Sequence, residues 1–227
     1  MTITYHTDLI QGSDEWLATR CGLLTASEMK LILTPTLKIA SNDKERTHLY
    51  ELLAQRITQY VEPRYVGDDM LRGMGEEILA RERYAQEYAP VTEVGFITND
   101  KWGFTLGYSP DGLVGDDGLI ECKSRRQKFQ VETIINGVVP DDYVMQLQTG
   151  LLVSERAWID FVSYCGGMPM VTIRVEPDPV IQAAILQAAE SFEGKLAMKL
   201  AEYNVQLASP ARLVPTERVV EQEMFIE

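Results

Sequence analysis

Helical and extended spacings alternate along this chain in a readable order. Ser13 precedes DEWLATR as an N-cap, since its hydroxyl can accept a free N–H of the first turn. Thr25 or Ser27 starts another short helix through ASEMKLIL. From Asn42 to about Val61, the positions Leu49, Leu52, Leu53, Ile57 and Val61 recur at helical spacing. A second long helix is predicted from about Met70 to Tyr88, ended by Pro90, whose nitrogen has no proton to donate. The texture then changes. VTEVGFITND, WGFTLGYS and GLIECKS are short, rich in β-branched and aromatic residues, and separated by Asn-Asp and Asp-Gly turn signals, so they predict a strand meander. Helical spacing returns in DDYVMQLQTGLLVSE. Strands RAWIDFVSYC and PMVTIRVE follow around Gly166-Gly167, and an alanine-rich helix from about Pro179 to Val205 comes before an irregular tail. This order predicts an α/β fold: a single domain with a central mixed β-sheet flanked by helices.

Composition supports that picture and narrows it. At 227 residues and 45% hydrophobic, the chain can bury a sizeable core. No run approaches the roughly 20 apolar residues of a membrane span, and MTITYHTDLIQGSDEW lacks the basic start and apolar stretch of a secretory signal. Cys21, Cys122 and Cys165 are too few and too scattered for a disulfide framework or a zinc site. His6 and His48 have no partner at metal-ligand spacing and read as structural. A reduced, cytoplasmic protein is expected. The net charge of −13 has the wrong sign for a protein that coats nucleic acid. It does not exclude an enzyme on DNA, which can concentrate positive charge in a groove and leave its outside acidic. Lys123, Arg125, Arg126 and Lys128 do fall within six residues, whereas the last fifteen residues set Glu217, Glu221, Glu223 and Glu227 against Arg218 alone.

The chemistry concentrates in YSPDGLVGDDGLIECKSR, residues 108–125. If strands 107–114 and 118–124 form a hairpin centred near Asp116, residues whose numbers sum to 232 face one another, and Asp111 lies opposite Glu121. Such neighbours have Cβ atoms roughly 5 Å apart. Alternation puts Glu121 and Lys123 on one face and sends Ile120 and Cys122 to the other, toward the core. Pro110 cannot donate to a ladder, so Asp111 is expected near a bend. Two adjacent carboxylates repel unless something positive lies between them. A hard dication such as Mg²⁺ meets that need, and a metal so held can activate water against a phosphodiester. Glu-x-Lys alone has little weight, since it also occurs at Glu28–Lys30 and Glu193–Lys195, both in helical stretches. On spacing alone a metal site and a solvated acidic hairpin fit equally well.

Further segments give the reading a family. "SPDG" followed by "IECK" resembles the PD-(D/E)xK nuclease fold, related to restriction endonucleases. Together with "EWLATRCGLLTASE" (15–28), "GMGEEILARERY" (73–84) and "YVMQLQTGLLV" (143–153), the chain resembles the phage lambda exonuclease and YqaJ-type viral recombinase family. The resemblance implies a Mg²⁺-dependent (or Mn²⁺-dependent) 5′-to-3′ exonuclease on linear duplex DNA, releasing 5′-mononucleotides and leaving 3′ overhangs. It also implies a homotrimeric ring, a single-strand annealing protein as partner, and a phage or prophage gene. Residues 1–208 would form the exonuclease domain, with the nuclease core at about 70–175, and 209–227 an acidic tail. Asp111 and Glu121 would hold the metal with the Ile120 carbonyl, and Lys123 would be the catalytic lysine. Glu77 and Gln146 would join them. Arg20 and Ser27 would bind the terminal 5′-phosphate, as an arginine fork and a hydroxyl near a helix start can. Arg125, Arg126 and Lys128 would touch the DNA backbone, and Met70 lies near where the family's strand-separating wedge would fall. Each residue also has a plainer role: Glu77 as an exposed helix acid, Arg20 paired with Asp14 or Glu15, Ser27 as a cap, and Gln146 or Gln148 as surface amides. By their spacing, at most one of those glutamines can enter the site. A restriction-like endonuclease and a non-catalytic DNA-end-binding module are the rival functions.

Overall fold

The structure is a computed structural model and describes residues 2–63, 67–209 and 212–218. The N-terminal half runs β1 (Ile3–His6), α1 (Asp14–Arg20), β2 (Leu24–Thr25), a 3₁₀ turn at Ala26–Glu28, α2 (Met29–Ile32), α3 (Asp43–Thr58) and α4 (Asp68–Glu87). It continues through β3 (Phe96–Asn99), β4 (Leu106–Tyr108), β5 (Gly112–Val114), β6 (Gly118–Ser124), α5 (Gln127–Asn136) and α6 (Asp141–Ser154). Strands β7 (Trp158–Tyr164) and β8 (Val171–Val175) and the long α7 (Pro179–Leu207) complete it. Starts are capped as the residue types dictate: Ser13 Oγ accepts the Trp16 N–H at 3.2 Å. Asn42 caps α3, and Asp178 caps α7 ahead of Pro179, whose ring suits a first turn.

The mixed α/β class holds, but the strands divide between two four-stranded sheets, β1-β3-β4-β2 and β5-β6-β7-β8, where the sequence suggests one. The division falls at Ser109-Pro110-Asp111. Residues 107–114, expected as one strand, are β4 and β5 on either side of that bend. Pro110 has no N–H for a ladder, and the chain turns there from one sheet into the other. The hairpin register is the expected one: Gly112 faces Ile120, Leu113 faces Leu119 and Val114 faces Gly118. The parallel pair β6–β7 forms the middle of the second sheet, and the crossover between them holds α5 and α6. The sequence pattern misses α5, β1 and β2.

Strand β6 is buried on both faces. Ile120 and Cys122 pack with Ala80, Tyr84 and Val162 beneath α4. Leu119 joins Tyr108, Phe161, Leu147 and Leu151 in the larger core, which α3, α6 and α7 cover. Glu121 therefore opens toward the rim of the large core and Asp111 toward α4. Helix α4 is tied to the sheet from Tyr84, whose hydroxyl donates to Asp160 at 2.6 Å; Arg174 closes on the same carboxylate with two bonds of 2.9 Å. Of the tail, residues 212–218 have no regular structure, while Glu221, Glu223 and Glu227 lie outside the described residues.

Candidate active site

Asp111 sits at the bend. Its N–H donates to the Ile120 carbonyl at 3.2 Å, and its Oδ2 accepts the Cys122 N–H at 2.5 Å. The carboxylate is thus fixed at both ends by the strand opposite, and it is only 7% exposed. Glu121 is more enclosed still, at 2%. Its Oε2 accepts from the Tyr108 hydroxyl at 2.7 Å, and its Oε1 accepts from Lys123 Nζ and Gln146 Nε2, each at 2.5 Å. Glu77, from α4, lines the same cleft as Asp111, and its charge acts on the Asp111 carboxyl. The five expected residues therefore lie around one bend in two neighbouring groups, Glu77 with Asp111 and Lys123 with Gln146 on Glu121, drawn from the bend, β6, α4 and α6. Gln148 points elsewhere, donating to the Glu176 carbonyl at 2.8 Å.

Burial dominates the electrostatics. It pushes the Asp111 carboxyl up to about 8, with the Glu77 charge adding to the rise and Lys123 opposing it. Burial also lifts Glu121 to about 7 against the pull of Lys123. For Lys123, burial works downward, but the Glu121 and Asp111 charges outweigh it and its pKa stands raised. Tyr108 is pushed well up by burial and then by Glu121, so it remains a hydroxyl donor.

All the oxygen donors are hard: two carboxylates fixed by other contacts and the Ile120 carbonyl. Among the described residues, no three histidine, cysteine or acidic side chains converge on one point. Mg²⁺ does not need three, since it is ordinarily bound through one or two carboxylates with waters and substrate phosphates completing its octahedron. The residues fit that ion.

The expected phosphate residues cluster nearby. The Arg20 guanidinium lies 4.2 Å above the Trp16 ring and donates to Thr25 Oγ1 at 3.3 Å. The exposed Ser27 has its Oγ 3.4 Å from the same Thr25 oxygen, which itself donates to Glu28. Thr25 pairs in register with Gly107 of β4, two residues before the bend. Trp16 Nε1 donates to the Gly95 carbonyl at 3.0 Å and to Ser109 Oγ at 3.1 Å, which ties this cluster to the strand that presents Asp111. Arg125 Nη1 donates to the Tyr143 hydroxyl at 2.8 Å, and the Tyr143 ring also lies 5.7 Å beneath Lys123 Nζ. Arg126 and Lys128 are exposed beyond it. Met70 is half-exposed on the first turn of α4, seven residues from Glu77, hence on the same helical face and about 10 Å along the axis.

Sequence reasoning missed Tyr108, which orients Glu121, and Arg81, which donates to the Asp111 carbonyl at 3.3 Å and pairs with Glu93. It also missed the divergence of two adjacent glutamates. Glu76 turns away from Glu77 to accept from Ser124 at 2.5 Å and from Arg72. The helical offset of about 100° per residue was the available signal for that split.

A bend-borne aspartate, a Glu-x-Lys on the neighbouring strand and a helix-borne glutamate over a mixed sheet define the core of a PD-(D/E)xK exonuclease fold. The chain belongs to the family of the YqaJ-like viral recombinase domain, whose model matches residues 15–157. Its structure is similar to the crystal structure of an alkaline exonuclease (LHK-Exo) from Laribacter hongkongensis, at 33% identity and a TM-score of 0.77 over 86% of this chain and 98% of that one. The same protein in complex with dAMP matches at 34% and 0.78, over 86% and 98%. A phage related exonuclease from Haemophilus somnus 129PT shares the fold at 12% identity and a TM-score of 0.54, over 78% and 96%. No curated protein matches the sequence significantly.

Proposed function

We propose that this nuclease is a Mg²⁺-dependent 5′-to-3′ exonuclease on linear duplex DNA, releasing 5′-mononucleotides and leaving 3′ single-stranded overhangs. The observation that carries the reading is the pair of buried carboxylates Asp111 and Glu121 with the half-buried Lys123, joined by Gln146 and Glu77. A non-catalytic DNA-binding module has no use for two neighbouring buried carboxylates, because desolvated like charges cost free energy.

Asp111, Glu121 and the Ile120 carbonyl would hold the metal, with Glu77 beside Asp111. When bound, the ion polarises the scissile phosphodiester and acidifies the attacking water. The chain's own groups do the rest. Lys123, anchored by Glu121, aims its ammonium at the reacting phosphate and offsets charge that develops there. Gln146 and Tyr108 keep Glu121 in one rotamer. Arg20 and Ser27 hold the terminal 5′-phosphate, so that the first phosphodiester reaches the bend at Asp111; a charged fork gives that contact directional strength. Mn²⁺ can replace Mg²⁺ on the same oxygen donors.

The resemblance extends the reading to a homotrimeric ring around the DNA, a single-strand annealing protein as partner, and phage or prophage origin in a bacterial cytoplasm. Among the described residues, no helix is long and apolar enough to cross a membrane. A restriction-like endonuclease on the same fold is the second reading.

The test is digestion of linear duplex DNA labelled at either the 5′ or the 3′ end, beside a closed circle, with Mg²⁺ and with EDTA. Early Mg²⁺-dependent release of the 5′ label from the linear form alone is expected. A nicked circle would transfer the assignment to an endonuclease. Uncut DNA under both Mg²⁺ and Mn²⁺ would leave only a binding module.

A further inference from the structure

Helix α4 separates two clefts. One opens onto the site, with Ile10, Met74, Glu77, Ile78, Arg81 and Asp111 among its lining residues. The other, of about 560 Å³, is lined by Arg72, Glu76, Arg125, Arg126, Gln127 and Lys128 together with Cys165 and Gly166. At about 100° per residue, Arg72 and Glu76 point roughly 170° away from the mean direction of Met74, Glu77, Ile78 and Arg81. The clefts therefore lie on opposite faces of one helix. Only the first touches Asp111, and Gly95, which accepts the Trp16 bond beside Arg20, lines it as well.

We infer that the second cleft binds the uncut DNA strand, as single-stranded phosphate backbone leaving the reaction centre; this rests on the exonuclease reading above. Four observations support it. The cleft gathers four basic side chains in a protein of net charge −13. Three of them, Arg125, Arg126 and Lys128, stand at the start of α5, where Arg126 is the N-cap and makes no side-chain capping bond. A helix start carries positive partial charge and free N–H groups, so cations there repel it and an anion relieves both. The carboxylate within the cleft, Glu76, already accepts from Ser124, Arg72 and the Gly166 N–H. It is committed to the wall and not to a metal, so the cleft can hold a phosphodiester without cutting it.

The fourth observation selects a single strand over a duplex. Phe129, 39% exposed, presents its ring beside the cleft with Arg125 and Lys128 packed on it at 5.1 and 4.7 Å. An accessible aromatic among cations suits unstacked bases, which a duplex does not offer. The strand leaving the site on this side of α4 is the one whose partner has just been removed.

The test measures equilibrium binding of the full-length protein, in EDTA, to two 5′-phosphorylated duplexes, one blunt and one with a 12-nucleotide 3′ overhang, between 50 and 200 mM salt. The overhang should tighten wild-type binding about tenfold, as stacking and phosphate contacts on single strands do. Arg126→Ala/Lys128→Ala should cut that gain below about twofold and make the salt slope for the overhang substrate shallower by about 1.4, at about 0.7 per single-strand phosphate. Phe129→Ala should lose part of the gain while the slope stays constant. An overhang gain that survives the double substitution overturns the proposal. So does a double variant weakened equally on both duplexes, since the cleft would then hold duplex DNA. Digestion of the blunt duplex by wild type separates the two levels. No release of the 5′ label defeats the exonuclease reading itself, whereas normal release with an unchanged overhang gain defeats only the strand assignment.

Discussion

Asp111 is a carboxyl whose environment resists its charge. Burial and the neighbouring Glu77 raise it to about 8, and Glu121 stands at about 7, whereas unfolded carboxyls titrate near 4. Between those values the folded chain holds protons that the unfolded chain has released. In EDTA, stability should therefore fall as pH rises from about 4 to about 8, the sign that raised carboxyl pKa values impose. Asp111→Asn has no such proton to lose and can still accept the Cys122 N–H. Its melting curve in EDTA should decline less over this range and lie above wild type at pH 8.5. Parallel declines would mean that burial of Asp111 costs nothing. Arg20 contacts the fold through the Trp16 ring and Thr25, and in the proposed function it also grips the terminal phosphate. Arg20→Ala should reduce the preference for 5′-phosphorylated over 5′-hydroxyl ends by about tenfold or more, the scale of a charge-assisted hydrogen bond. Initial rates on paired substrates measure it, and an unchanged ratio removes Arg20 from the phosphate pocket.

At the scale of elements, the site depends on one close approach. Gly150 lies on α6, one turn after Gln146, and a Cβ there would meet the Tyr108 ring at 2.7 Å. The helix accepts that glycine although alanine would favour helix by about 1 kcal/mol, because its bare backbone lets Tyr108 reach Glu121. Gly150→Ala should be destabilising by roughly 1–2 kcal/mol net, since overpacking a core typically costs about 1–3 kcal/mol. It should also lower activity about tenfold by dislodging the Tyr108 hydroxyl from Glu121. Urea unfolding and turnover on one preparation would check both, and a variant more stable than wild type would mean that the ring yields freely. Elements also divide what the sequence reveals. The hairpin register could be read because period-2 alternation and a Gly-Asp-Asp-Gly turn fix it locally. Helix α5 could not, because in QKFQVETIIN the partly exposed Phe129, Val131 and Ile134 and the largely exposed Ile135 leave no clean buried stripe. Strands of two and four residues, such as β2 and β1, are too short for any period to register.

Across the whole molecule, the legible parts of the site were those within one hairpin: Asp111, Glu121 and Lys123 lie within thirteen residues. Glu77 and Gln146 carry no local mark that separates them from Glu76 and Gln148. Only the family resemblance singled them out, and only packing against β6 brings them to Glu121 and Asp111. The division into two sheets was equally hidden, since it rests on how the bend at Pro110 is used and not on its presence. The attachment of α4 has a mechanical consequence. Ala80 and Tyr84 are fully buried and Tyr84 is bonded to Asp160, whereas Met70, Leu71 and Met74 are at least half exposed. The helix is packed into the core in its C-terminal half, whereas its first turns are held by side-chain bonds alone, from Glu76 to Ser124 and from Arg72 to the Arg125 carbonyl. Amide hydrogen exchange should therefore slow progressively from its first turn to the turn of Tyr84, with openings confined to the outer turns. Uniform protection along α4 would mean a rigid strut instead, and Glu77 could then not shift without the sheet moving too.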